Sequence, residues 1–203
     1  MAGLFITLEG IDGCGKSTQA RLLASWLEKR GAEVVLTREP GGTEKGERLR
    51  ELVLSPGHEI PPAAELFLYL ADRAIHVAEV IAPARARGAI VVCERYTDST
   101  LAYQGYGRGL EVALLRRLNE EATGGVVPDL TVVIDIPPEA ARLDAARLDR
   151  LESSGDSFRA RVAAGFRALA AQEPERIKLV DGQQSIAAVH AQLAALLADR
   201  EGS

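Results

Sequence analysis

Residues 8–19 read LEGIDGCGKSTQ, and no other stretch limits the fold as strongly. It fits G-x-x-x-x-G-K-[ST] at Gly10, Gly15, Lys16 and Ser17, between the apolar run Leu4 to Leu8 and the helix-like run KSTQARLLASWLEKRG. A strand before the pattern and a helix after it are the context a phosphate-binding loop requires. Glycines without Cβ let successive N–H groups turn inward, and the following helix adds the positive end of its dipole. Residues Gly10, Ile11, Asp12, Gly13, Cys14, Gly15, Lys16, Ser17 and Thr18 are therefore expected to hold ATP. Lys16 would reach the β- and γ-phosphates from a solvent-facing loop, and Ser17 would offer its hydroxyl to Mg²⁺. A plain glycine turn would not need the adjoining Lys-Ser pair.

The rest of the chain alternates strand and helix. Apolar runs of strand length occur at Leu4–Leu8, Glu33–Leu36, Ala89–Cys93, Leu130–Ile136 and Ile177–Val180. Helical patterns occupy Ser17–Arg30, Glu44–Leu54, Ala63–Arg87, Leu110–Ala122, Glu139–Leu151, Phe158–Ala171 and Ile186–Asp199, with Pro83 a kink or break in the third. Such alternation predicts an α/β fold: a parallel sheet covered on both faces, with a ligand crevice at the strands' carboxyl ends. At 203 residues and 47% hydrophobic, residues 1–203 suffice for one domain with a full core. The polar segment RLDRLESSGD, within a lid over about 142–156, is the candidate mobile flap.

A net charge of −5 argues against nucleic acid as a partner, so small anions must be held by local arginines. No run is long and apolar enough to span a bilayer, and the N-terminus enters a strand without a basic region, which predicts a cytoplasmic protein. The two cysteines, Cys14 and Cys93, lack metal-ligand spacing and suit a reducing compartment. Cys14, at a helix N-terminus, is either oxidation-sensitive or simply small enough for the loop.

Four further stretches carry chemistry. In TREPGGT, Arg38 follows the second strand and faces the crevice rim. In ELFLYLADRAIHV, Phe67 and Leu70 form an apolar stripe, while Arg73, six positions after Phe67, is about 600° further round the helix and on another face. His76 reads as a surface or packing histidine. In VVCERYTDSTLAYQGYGRG, the strand ends in Glu94, where phosphate-loop enzymes keep an acid for the metal, followed by Arg95, Ser99, Thr100 and Tyr103. Lastly, Arg142, Arg147 and Arg150 flank or occupy the flap and could clamp phosphate on closing.

The segments LEGIDGCGKSTQ, TREPGGTEKGERLRELVL, LFLYLADRAIHV, CERYTDSTLAYQG, PDLTVVIDIPPEAA and LDRLE occur in an order and spacing that closely resembles the bacterial thymidylate kinases. This resemblance implies a P-loop kinase three-layer sandwich with a five-stranded parallel sheet and a short flexible lid. It also implies transfer of the γ-phosphoryl group of ATP to dTMP, giving dTDP, with Mg²⁺, in a homodimer. By the same resemblance Asp12 assists transfer, Arg38 and Arg95 lie near the acceptor phosphate, and Glu94 with Ser17 serves the metal. Phe67 stacks on thymine, Arg73 reads its edge, Thr100 sits near the ring N3, Tyr103 lies below the sugar, and Gln104 joins the substrate group. With Gly13 offering no side chain, the transition-state arginine is expected from the lid, at Arg150 or failing that Arg147, alongside Lys16 and Arg95. Two departures stand out: Glu94 where the family usually has Asp, and Ile75 where many members have Gln. A kinase for another nucleoside monophosphate or a nucleoside, and a nucleotide-dependent switch protein, remain the alternative readings; a switch would need no second substrate site. Gln183 and Gln184 are candidates for the adenine contacts.

Overall fold

A computed structural model describes residues 3–55, 59–142 and 155–201. Five strands, β1 (Phe5–Glu9), β2 (Val34–Arg38), β3 (Ile90–Glu94), β4 (Leu130–Asp135) and β5 (Ile177–Asp181), form one parallel sheet in the order β2-β3-β1-β4-β5. Strand β1 is central and buried on both faces, as a parallel sheet between helical layers demands. Its alternate residues feed two apolar clusters. Ile6 and Leu8 join the larger one with Leu23, Leu27, Val132 and Phe166, while Phe5 joins Val77, Ile81, Ala84, Val91 and Tyr96.

Helices α1 (Lys16–Glu28), α2 (Glu44–Leu54), α3 (Pro62–His76), α4 (Ala82–Ala86), α5 (Thr97–Thr100), α6 (Val112–Thr123), α7 (Asp156–Gln172) and α8 (Ile186–Glu201) surround the sheet. Helix α1 packs on α8: Ala20, Leu23, Ala24 and Leu27 on the one, and Val189, Leu193 and Leu197 on the other, are buried. The long third helix predicted over 63–87 is real but not uniform. Between α3 and α4 the chain passes through a π-helical turn, Val77–Ile81, just before Pro83, which has no amide hydrogen to continue the α ladder.

Two stretches depart from the sequence reading. Leu101–Gly107 forms a second π-helical segment continuing α5, although its glycines disfavour helix. Packing supports it: a Cβ at Gly107 would lie 2.6 Å from the Phe158 ring, so glycine is needed for this close approach to α7. The helix expected over 139–151 begins only as a 3₁₀ turn, Pro138–Ala140, followed by non-helical Ala141 and Arg142. The remainder of that helix, most of the lid, Arg147 and Arg150 lie outside the described residues.

Candidate active site

A cavity of about 730 Å³ runs across the carboxyl ends of all five strands. Asp12 to Gln19 line it after β1, Arg38 to Pro40 at and after β2, and Glu94 and Arg95 at and after β3. Ile136, Ala140 and Arg142 follow β4, and Gly182 to Ile186 follow β5, so Gln183 and Gln184 are in place at one end.

The phosphate loop turns through Gly10, Gly13 and Gly15 at φ of 134°, 75° and 97°, conformations that L side chains avoid. A Cβ at Gly13 would also lie 2.6 Å from the Arg142 amide nitrogen, which donates to Gly13 O. Gly10 and Ile11 lie behind the loop and not on the cavity wall. Lys16 is not solvent-facing, as its position in a loop suggested, but 5% exposed. Its Nζ donates to Ile11 O at 2.8 Å and Gly10 O at 3.2 Å, so the ammonium folds under the loop it serves. Ser17 Oγ donates to Glu94 Oε1 at 2.8 Å. The longer carboxylate at position 94 therefore still meets the hydroxyl. A hydroxyl beside a carboxylate at the cavity wall is the oxygen-donor chemistry that suits Mg²⁺.

Arg95 ties the loop to the far half of the cavity. Its guanidinium donates to Gly10 O at 3.1 Å, Ser99 Oγ at 3.0 Å and Tyr103 OH at 3.0 Å, and pairs with Asp12. Tyr103 OH donates in turn to Asp12 Oδ2 at 2.8 Å. Burial raises the Asp12 pKa, but the positive charges of Arg95 and Lys16 outweigh it and hold the carboxyl down to about 2. Asp12 is thus an anion under all ordinary conditions. Arg95 itself sits at φ 67°, and it alone among the described non-glycine residues has a positive φ. A bulky side chain in the left-handed region persists only where its surroundings over-determine it, which is common at functional sites.

Arg73 is 2% exposed and organises the other half of the cavity. It donates to Glu39 Oε2 at 2.8 Å, Thr100 Oγ1 at 2.8 Å, Asn119 Oδ1 at 2.6 Å and Tyr96 O at 3.0 Å. His76 is buried, not superficial: Nδ1 is 2.9 Å from Glu39 Oε1 and Nε2 is 2.6 Å from Thr37 Oγ1. Asp72 accepts from Gly41 N at 2.9 Å and so pins the turn after β2. Thr100, Tyr103 and Gln104 line the cavity, with Gln104 Nε2 donating to the buried Glu65 at 2.7 Å. Phe67 does not belong here: it is 60% exposed on the outer face of α3. The aromatic of α3 that lines the cavity is Tyr69, four residues and one helical turn before Arg73.

Between the two halves stand three arginines, Arg38, Arg50 and Arg95. Arg38 pairs with Glu47, and Arg50 donates to Pro40 O at 2.9 Å. Burial first, and the positive charge of Arg38 second, push the Arg50 pKa down. A guanidinium held against other cations marks a place made for an anion.

Two buried carboxyls oppose this acidity. Burial and the nearby Asp98 raise Glu9 to about 7, and burial and Glu39 raise Asp72 to about 7, from ordinary values of 4.5 and 3.8. Between about pH 4 and 7 the folded chain holds these protons more tightly than the unfolded chain, so their contribution to stability falls as pH rises. Asp12 acts oppositely, but only between about 4 and 2. The melting temperature is expected to be higher at pH 5 than at pH 8, and Asp72→Asn is expected to narrow the gap. Thermal scans at both pH values check this; a gap unchanged by the substitution would contradict it.

The thymidylate kinase family model matches residues 8–193. A thymidylate kinase of a Synechococcus strain is 55% identical over 190 residues, covering 94% of this chain and 92% of the relative. That of Pseudomonas fluorescens is 53% identical over 201 residues, covering 97% and 96%. The crystal structure of thymidylate kinase from Ehrlichia chaffeensis superposes with a TM-score of 0.80 at 36% identity, covering 97% of this chain and 99% of that one. With a phosphate loop, an arginine-lined middle and a second pocket in one cavity, and with these matches over nearly its whole length, the chain belongs to the thymidylate kinase family.

Proposed function

We propose that the chain transfers the γ-phosphoryl group of ATP to dTMP, yielding dTDP and ADP, in the cytoplasm. The observation that carries this reading is the continuity of one cavity from the phosphate loop, past three arginines, to the pocket of Tyr69 and Arg73. Phosphoryl transfer demands two anionic partners held in line with their charge neutralised, and little covalent help from the protein. Lys16 and the loop amides hold the donor phosphates, with Gln183 and Gln184 toward the adenine. Arg38, Arg50 and Arg95 receive the acceptor phosphate. Tyr69 supplies the flat surface for thymine and Arg73 the donor to its edge, with Thr100, Tyr103 and Gln104 around the nucleoside. Ser17 and Glu94 would hold Mg²⁺, which when bound neutralises charge on the transferring phosphates. A molecule joining adenosine and thymidine through a polyphosphate tests the shared cavity. It should bind at one site per chain and compete with both ATP and dTMP; competition with only one of them would contradict the reading.

Base stacking on an aromatic contributes about 1–3 kcal/mol. Tyr69→Ala is therefore expected to raise the KM for dTMP by about tenfold or more, while Phe67→Ala leaves it within about twofold. Steady-state kinetics of the two variants decide between them, and the reverse ranking would restore Phe67 to the pocket. Phe67 has another place in the account. With Ala71 and Ala74 it makes an exposed apolar stripe along α3, flanked by exposed Leu52 of α2 and Leu114 of α6. We infer a homodimer through that face, which Phe67→Glu should convert to monomers in sedimentation velocity.

A further inference from the structure

Glu9 is the last residue of β1, immediately before the phosphate loop, and it is 0% exposed. None of the chemistry assigned above uses it. A carboxyl so deeply buried is costly unless its oxygens are fully engaged, and these are. Oε1 accepts from Tyr96 N at 2.8 Å and Ser99 N at 3.3 Å, and Oε2 accepts from Ser99 Oγ at 2.6 Å. Tyr96 and Ser99 open α5, where Tyr96 stands at the cap position without a side-chain cap of its own. Glu9 thus caps a helix from another strand, taking up the Tyr96 amide and sharing the Ser99 amide with Tyr96 O, to which that amide donates at 3.1 Å.

The capped segment starts one residue after Arg95, whose backbone is in the left-handed region. The Arg95 amide donates to Leu8 O at 3.0 Å, and the next amide, that of Tyr96, donates to Glu9. The unusual backbone is clamped from both sides by consecutive residues of β1. The same carboxylate also acts on the side chain. Ser99 Oγ gives its proton to Glu9 and accepts Arg95 Nη1 at 3.0 Å, which leaves that guanidinium aimed at Gly10, Asp12 and Tyr103. The charged and titratable groups around Glu9 are Asp98 on the segment it caps, Arg95 just before that segment, Cys93 on β3 and Arg73 on α3.

We propose that Glu9 is a positioning residue for Arg95, fixing both its left-handed backbone and, through Ser99, the direction of its guanidinium. The inference rests on the assignment of Arg95 to the acceptor phosphate. It makes β1 the common support of the donor loop, which it enters, and of the acceptor-side arginine, which it clamps. A packing residue would lose stability and activity together. Glu9 should not: Gln removes a buried acid whose charge opposes stability at alkaline pH, while giving up an acceptor for the Ser99 hydroxyl.

The test compares Glu9→Gln, Ser99→Ala, Arg95→Ala and the Glu9→Gln/Arg95→Ala pair. Glu9→Gln should lower kcat with dTMP by about tenfold while its melting temperature at pH 8 is not lowered, and it should cost less than about twofold further once Arg95 is gone. A proportionate loss in both backgrounds, or a loss of kcat that tracks a loss of stability, would overturn the proposal. Side-chain NMR of arginine-labelled protein without substrate supplies a readout that does not depend on the assigned reaction. The Arg95 Nη protons, identified by their absence in Arg95→Ala, should be protected in the parent and lose that protection in Glu9→Gln and in Ser99→Ala. Signals unchanged in both variants would overturn the placement, whereas a parent without dTMP-dependent turnover would overturn the functional reading alone.

Discussion

Lys16→Ala is expected to lower kcat by about a thousandfold or more, the scale on which a cation serving the transferring phosphates acts. The ammonium is buried under the loop and held by the carbonyls of Ile11 and Gly10. It therefore costs little reorganisation when phosphates arrive, which is what makes a fixed charge more effective than a mobile one. The substitution removes one donor from each of two loop carbonyls, while Gly10 O keeps Arg95 and Ile11 O keeps the Cys14 amide, so only a small loss of stability should accompany the loss of turnover. Single-turnover measurements at saturating ATP and dTMP, with circular dichroism to show a folded chain, check both parts. Near-normal turnover in a folded variant would remove the phosphate loop from the chemistry.

Arg73→Ala should have two large effects at once. Toward the cavity it removes the donor assigned to the thymine edge, so the KM for dTMP should rise far more than that for ATP. Toward the interior it leaves Glu39 buried with His76 but without its guanidinium, takes the Arg73 donor from the side-chain oxygens of Thr100 and Asn119, and leaves Tyr96 O with the Ser99 amide alone of its two donors. Breaking a buried ion pair from one side costs about 3–5 kcal/mol, so the melting temperature should fall markedly. Arg73→Lys keeps a charge near Glu39 but cannot reproduce the forked donor set, and should recover part of the stability but little of the dTMP affinity. Kinetics with each substrate varied in turn, alongside thermal scans, separate these effects. A raised KM for ATP with that for dTMP unchanged would mean that the two halves of the cavity have been exchanged.

The sequence was informative where spacing dictates geometry. The phosphate loop, the five strands and the carboxyl-end crevice follow from a glycine pattern and from hydrophobic alternation, and Arg38, Glu94, Arg95, Thr100 and Tyr103 fall at strand ends or on the helix that leads from one. It was misleading where faces must be told apart. In LFLYLA every residue is hydrophobic, so composition does not separate Phe67 from Tyr69; the signal lay in spacing, since Tyr69 is one helical turn from Arg73 and Phe67 is on another face, and the packing of α3 beside the cavity agrees with it. Arg50 sits among glutamates and arginines on α2 and reads as one more solvated charge, although the fold half-buries it beside Arg38. Glu9, Asp72 and His76 look like ordinary polar residues because their burial depends on partners 30 to 90 positions away. The π-helical run Leu101–Gly107 has poor local propensity and exists through its contacts with α7.

The most direct test of the account is ADP formation from ATP by the full chain with each nucleoside monophosphate supplied in turn. The account predicts dTMP-dependent ADP formation, with dTDP produced in equal amount and other monophosphates used much more slowly. Equal rates with a second monophosphate, or ATP hydrolysis indifferent to all of them, would contradict it.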